Sequence, residues 1–116
     1  MTVIIYHNPR CSKSRQTLEL LREHGVEPEI VEYLKTPPEP DELKRITDLL
    51  GLKAVELMRR GESEYRDLGL DDDALTETAL INAMCEHPRL IQRPIVIAGN
   101  NARIGRPPES VLEILP

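Results

Sequence analysis

The run Thr2-Val3-Ile4-Ile5-Tyr6, then a turn at Asn8-Pro9, then residues at helical spacing, then a second β-rich run, restricts the fold of this chain more than any other feature. The first run is continuously β-favouring, the pattern of a strand buried on both faces. From about Ser12 to His24, Leu18 and Leu21 recur among polar residues at helical intervals, and Gly25 supplies a C-terminal stop. Glu29-Ile30-Val31-Glu32-Tyr33-Leu34 reads as a second strand. Such β-α-β units are almost always right-handed with parallel strands, so the first third of the chain predicts the start of an α/β sheet.

The stretch Thr36-Pro37-Pro38-Glu39-Pro40 cannot continue a hydrogen-bonded ladder and reads as a stiff connector. Short helices are expected after it. Leu43, Ile46, Leu49 and Leu50 form one face ending at Gly51, and Val55, Leu57 and Met58 mark a helix ending at Gly61. A third turn ends at Leu68-Gly69, and Asp71-Asp72-Asp73 reads as a solvated loop. Thr76 is an N-cap candidate for a helix whose buried face is Leu80, Ile81, Met84 and Cys85. Arg93 to Ala98 is again β-rich, and Gly99-Asn100-Asn101 before Ala102-Arg103-Ile104 signals a hairpin. Pro107-Pro108 opens a last helix through Val111, Leu112 and Leu115. The order β-α-β, helices, β-β-α is that of a thioredoxin-like mixed sheet, with an all-helical insertion at about 39–90 inside a single domain spanning 1–116. In that fold the proline opening the third strand is commonly cis and faces the active thiol, which makes Pro94 the candidate.

Charge and composition exclude several function classes. Aromatic residues make up 3% of the 116 residues and the formal charge is -5, so bases find little to stack on and a phosphate backbone meets an acidic surface. No nucleic-acid partner is expected. No apolar stretch is long enough to span a bilayer and no secretory leader is visible, which predicts a cytoplasmic protein with no membrane partner. Two cysteines and three histidines are too few and too dispersed for a disulfide framework or a structural zinc site, so no metal is expected.

Cys11 is the residue most suited to chemistry. It lies where the first strand gives way to the first helix, beside Arg10, Lys13 and Arg15, and the unpaired N–H groups of a helix start favour a thiolate. Its polar, cationic loop argues against burial. The motif is Cys-x-x-Ser, and because Ser14 cannot resolve a disulfide, the second thiol comes from outside or from Cys85. Cys85 itself, on an apolar helical face, is expected to be buried. His7, four residues before Cys11, can stabilise the thiolate or orient a substrate oxygen, whereas His24 and His87 look structural. Arg59, Arg93 and Arg106 stand out among the arginines by position, and guanidinium forks bind oxyanions bidentately.

His-Asn-Pro-x-Cys-x-x-Ser-Arg at 7–15, Glu-Tyr-Leu-Lys-Thr-Pro-Pro at 32–38, Arg-Pro-Ile-Val at 93–96 and Ala-Arg-Ile-Gly-Arg-Pro-Pro at 102–108 resemble the glutaredoxin-coupled arsenate reductases, the ArsC family. The resemblance covers essentially the whole chain. It implies that Cys11 attacks arsenate at arsenic, that glutathione acts as co-substrate, and that glutaredoxin resolves the mixed disulfide as arsenite leaves. No bound cofactor is implied. Arg59, Arg93 and Arg106 match the family's oxyanion-binding arginines, His7 matches the histidine that favours the thiolate, and Ser14 and Arg15 match its active-site loop. The basic loop Arg10-Cys11-Ser12-Lys13 and the end at Pro116 resemble the short subgroup. Two alternatives share Cys11: a glutathione-dependent thiol reductase, and a redox-sensitive regulator of the related Spx type that binds RNA polymerase. Ser14 counts against the latter, whose members usually carry Cys-x-x-Cys.

Overall fold

The computed structural model describes residues 2–115, which fall into two compact units, 2–36 with 93–115 and 37–92. The first unit holds β1 (Val3–Tyr6), α1 (Ser12–Glu23), β2 (Glu29–Val31), β3 (Ile95–Ala98) and β4 (Asn101–Ile104). They form one sheet in the order β2-β1-β3-β4. β1 runs parallel to β2, while β1 with β3 and β3 with β4 are antiparallel, which is the thioredoxin-like arrangement.

Register explains how the central strands are buried. Val3 pairs with Ala98 and Ile5 with Val96, and all four join Leu21, Val111 and Ile114 in one apolar cluster on the α1 side of the sheet. Side chains alternate along a strand, so Tyr6 and its partner Ile95 point to the opposite face, where both are buried too. Each large aliphatic side chain buried in this way contributes roughly 1.5–3 kcal/mol. The hairpin turn is the two residues Gly99 and Asn100, with Gly99 at φ 61°, a backbone region that glycine enters without penalty.

Two elements differ from expectation. β2 stops at Val31 and does not reach Leu34, because the Glu32 carbonyl instead accepts from Lys35 and Thr36 N–H in a local turn. The last helix is a 3-10 segment, Pro108–Ile114, in place of an α-helix. Its buried residues Pro108, Val111 and Ile114 recur every three positions, the period at which 3-10 side chains eclipse. The segment packs on α1 and β4.

The second unit contains α2 (Pro40–Leu50), α3 (Ala54–Leu57), α4 (Ser63–Asp67) and α5 (Glu77–Glu86), followed by a 3-10 turn at Pro88–Leu90. α2 ends where Gly51 turns left-handed at φ 70°, and α5 begins where Thr76 accepts from Ala79 N–H at 3.1 Å. Leu43 and Ile46 of α2, Ala54 and Leu57 of α3, and Leu80, Ile81 and Met84 of α5 are buried, with α2 and α3 packed on α5. Asp71, Asp72 and Asp73 are exposed, as their charge requires. Among the described residues no helix is long and apolar enough to cross a membrane.

Candidate active site

The loop between β1 and α1 is braced before it reaches the cysteine. Cys11 N–H donates to the Asn8 carbonyl at 3.0 Å, Arg10 N–H to Asn8 Oδ1 at 3.0 Å, and Arg15 Nη1 to the Pro9 carbonyl at 2.9 Å. Cys11 is the N-cap residue of α1, in extended conformation. Its side chain makes no cap hydrogen bond of ordinary geometry, yet the N–H groups of Ser14 and Lys13 still face the sulfur.

Cys11 is only 9% exposed, contrary to what its polar neighbours in sequence suggest. The burial comes from groups folded back over the sulfur. Burial alone pushes the thiol pKa up, but the Ser14 N–H, the Arg93 guanidinium and the Lys13 N–H together bring it below its ordinary value. Arg106 adds a second guanidinium, with Nη2 at 3.8 Å from Sγ. Sheet and helix therefore place a cysteine beside two guanidinium groups, which favour its thiolate relative to that of an ordinary cysteine.

Both arginines come from the stretch that runs from Arg93 through the β3–β4 hairpin to Arg106. The Arg93–Pro94 bond is cis, as the fold predicts, and Arg106–Pro107 is a second cis bond that the sequence reading did not single out. Arg106 Nε donates to the Arg93 carbonyl at 2.7 Å, which fixes one guanidinium to the backbone of the other. Arg93 Nε and Nη1 are buried with no hydrogen-bond partner among the described residues. Buried guanidinium N–H groups without partners are costly, and an oxyanion carries the acceptor oxygens they lack.

His7 is buried, but its recorded partner is Ser14: Nδ1 and Oγ lie 2.6 Å apart, and the same hydroxyl accepts from Asn8 N–H at 3.0 Å. Burial is the largest influence on the His7 imidazole and holds its pKa below the ordinary value. The 2.6 Å contact lets His7 anchor the Ser14 side chain. Arg15 braces Pro9. A cavity of about 690 Å³ is lined by His7, Pro9, Arg15 and residues of α1, and Cys11 is not among its lining residues.

The second unit carries the remaining candidates. Arg59, two residues past α3, pairs with Glu62, and its N–H donates to the Leu90 carbonyl at 2.7 Å. Cys85 is half-buried where full burial was expected, because its α5 neighbours Leu80, Ile81 and Met84 take the covered face. Burial and the carboxylates of Glu39, Glu42 and Glu86 push its thiol pKa up, which disfavours its thiolate. Among the described residues no group of three or more His, Cys, Asp or Glu could hold a metal ion.

Sequence reasoning missed Gly105 and Thr17. Gly105 N–H donates to the Pro94 carbonyl at 2.9 Å, and a Cβ at Gly105 would sit 2.6 Å from Thr17 Oγ1 and 2.7 Å from Pro94 Cγ. No signal short of the folded chain marks this as the place where α1 meets the cis-proline turn.

Fold and site together define a thioredoxin-like protein with one activated cysteine under two arginines. The model of the ArsC family matches residues 6–114, and the chain belongs to that family. It is 57% identical to the uncharacterized protein YfgD of Escherichia coli strain K12 over 114 residues, 97% of this chain and 96% of that one. It is 52% identical to an arsenate reductase of Haemophilus influenzae over 116 residues, 99% of this chain and 100% of that one. An arsenate reductase structure from Vibrio cholerae superposes with a TM-score of 0.97 at 53% identity, covering 99% of this chain and 98% of that one.

Proposed function

We propose that the protein is an arsenate reductase acting in the cytoplasm, with Cys11 as nucleophile and glutathione and glutaredoxin as reductants. The observation that carries this reading is the Cys11 thiol held toward its ionised form by Ser14 and Lys13 N–H groups and Arg93, with Arg106 beside it. Arg93 and Arg106 would grip arsenate oxygens and offset their charge as the thiolate approaches. Arg59 is the third oxyanion-binding arginine that the resemblance to the family implies.

In the first step the Cys11 thiolate forms a sulfur–arsenic bond and one arsenate oxygen leaves as water, taking up protons from solvent. A glutathione thiol then displaces a second oxygen as water. Two electrons pass from the two sulfurs to arsenic when a disulfide forms between Cys11 and glutathione; the arsenic, left with two oxygens, takes up one water and leaves as arsenite, so that one water is released overall. A glutaredoxin thiol attacks the glutathione sulfur of that disulfide and frees Cys11, a role for an outside thiol that Ser14 leaves open. Phosphate has the same shape and charge, but sulfur offers it no reductive path, so discrimination rests on reactivity.

The test is NADPH consumption coupled through glutathione reductase, glutathione and glutaredoxin, with and without arsenate. An arsenate-dependent rate is expected. Its absence with an active glutaredoxin would overturn the reading.

A further inference from the structure

The buried face of α1 is Ser14, Thr17 and Leu21, and each side chain meets a different part of the sheet unit. Leu21 joins the apolar cluster on the α1 side of the sheet, and Ser14 meets His7, the residue after β1. Thr17 lies between them and is fully buried although it is polar. Its Oγ1 donates to the Lys13 carbonyl at 2.8 Å, so the burial leaves no orphaned hydroxyl.

That bond falls at a particular place in the site. The Lys13 carbonyl and the Ser14 N–H belong to one peptide group, and the Ser14 N–H faces the Cys11 sulfur. A hydrogen bond accepted at one end of a peptide polarises the donor at its other end. Thr17 thus holds and strengthens a group that faces the thiol.

The same side chain packs against the strand ends that carry the two arginines. A Cβ built on Gly105 would lie 2.6 Å from Thr17 Oγ1, 3.1 Å from Thr17 Cγ2 and 2.7 Å from Pro94 Cγ, so Thr17, the Gly105 backbone and the Pro94 ring converge on one point. Gly105 N–H donates to the Pro94 carbonyl at 2.9 Å, which ties the two strand ends together there. Arg93 precedes Pro94 and Arg106 follows Gly105, so the contact is one residue away from each arginine. Threonine suits this place because branching at Cβ restricts χ1, and the bond to Lys13 holds the rotamer further.

We propose that Thr17 is a positioning residue for Cys11: through Lys13 it holds the Ser14 N–H on the sulfur, and through Gly105 and Pro94 it sets the distance from the thiol to Arg93 and Arg106. It acts through these groups and not on the reacting atoms. The inference rests on the reading of Cys11 as the nucleophile and is independent of arsenate as the substrate. A threonine that only filled space would support the fold without affecting the ionisation of the thiol.

The test follows iodoacetamide labelling of the Cys11 peptide across pH by mass spectrometry, with the melting temperature measured alongside, in wild type, Thr17→Ala, Thr17→Val and Thr17→Ser. Neither arsenate nor glutathione is needed. Thr17→Ala loses both the hydroxyl and the contact with Gly105, and its labelling midpoint is expected to rise by about 0.5 to 1 pH unit, slowing labelling below the midpoint about three- to tenfold. Thr17→Val keeps the bulk against Gly105 without the bond to Lys13 and should fall between wild type and Thr17→Ala. Thr17→Ser keeps the hydroxyl, the atom nearest to Gly105, and should restore the wild-type profile.

A Thr17→Ala profile that coincides with wild type, whatever the melting temperature, shows a space-filling side chain and overturns the proposal. So does a Thr17→Ser midpoint as high as that of Thr17→Ala. Should Thr17→Ala fail to fold, Thr17→Val decides: a raised midpoint supports the proposal and a wild-type midpoint overturns it. If wild-type Cys11 itself labels with the profile of an ordinary thiol, the reading of Cys11 fails and the proposal falls with it.

Discussion

Arg106 Nε donates to the main-chain carbonyl of Arg93 at 2.7 Å while its Nη2 lies 3.8 Å from Cys11 Sγ, so one guanidinium both fixes its neighbour's backbone and faces the thiol. Lysine cannot do both, since an ammonium is a point charge without a fork. Arg106→Lys is expected to lower arsenate kcat/KM by about ten- to a hundredfold, the equivalent of one or two charge-assisted hydrogen bonds. Steady-state kinetics checks this, with the melting temperature expected to stay near that of wild type.

Alkylation of the two cysteines should separate by pH. Cys11 titrates below the ordinary thiol value and Cys85 above it, so iodoacetamide near neutral pH should label Cys11 first. Arg93→Met removes one of the groups that favour the thiolate and is expected to shift the Cys11 rate profile to higher pH. The same shift has a stability sign: a lowered folded pKa means the thiolate stabilises the fold fully above the unfolded thiol's pKa, and that contribution is lost as pH falls through the folded value. Cys11→Ser should remove this dependence in denaturant titrations across pH.

His7 offers a second titration. Its folded pKa lies below the ordinary imidazole value, with burial the main cause. The neutral ring's contribution is present above the unfolded pKa and declines as pH falls through the lowered one. Proton NMR of the ring should give a midpoint below about 6.5. Ser14→Ala, which removes its 2.6 Å partner, is expected to cost about 1–3 kcal/mol by leaving a buried nitrogen unsatisfied.

Gly105→Ala places a methyl group against Thr17 and Pro94, at 2.6 and 2.7 Å from their nearest atoms. Overpacking of this kind costs about 1–3 kcal/mol. Chemical denaturation measures it, and adding Thr17→Ala should recover part of the loss by removing one of the two obstacles. Activity should fall further than stability, because Pro94 follows Arg93 and Gly105 precedes Arg106 in the chain.

The residues that carry local instructions were legible before the fold was. Apolar runs set β1 and β3, Gly51 and Thr76 set helix ends, and Asn8-Pro9 put Cys11 at a helix start. Period failed over short spans: Val111, Leu112 and Leu115 suit an α-helix, whereas burial follows Pro108, Val111 and Ile114. β2 was overread because Glu32 closes a turn with residues that also favour strands. At the site, sequence pointed to the thiol, yet its burial under Arg93 and Arg106 depends on residues more than eighty positions away in the chain. The Arg59–Glu62 pair had a visible three-residue spacing, while the contribution of Arg89 across 27 positions had none.

The account is tested most directly by arsenite formation from arsenate in the complete glutathione and glutaredoxin system, comparing wild type, Cys11→Ser and Cys85→Ser by chromatographic separation of the two arsenic species. Wild type and Cys85→Ser should form arsenite at similar rates, and Cys11→Ser should match the blank without protein. Arsenite formation by Cys11→Ser at the wild-type rate would contradict it.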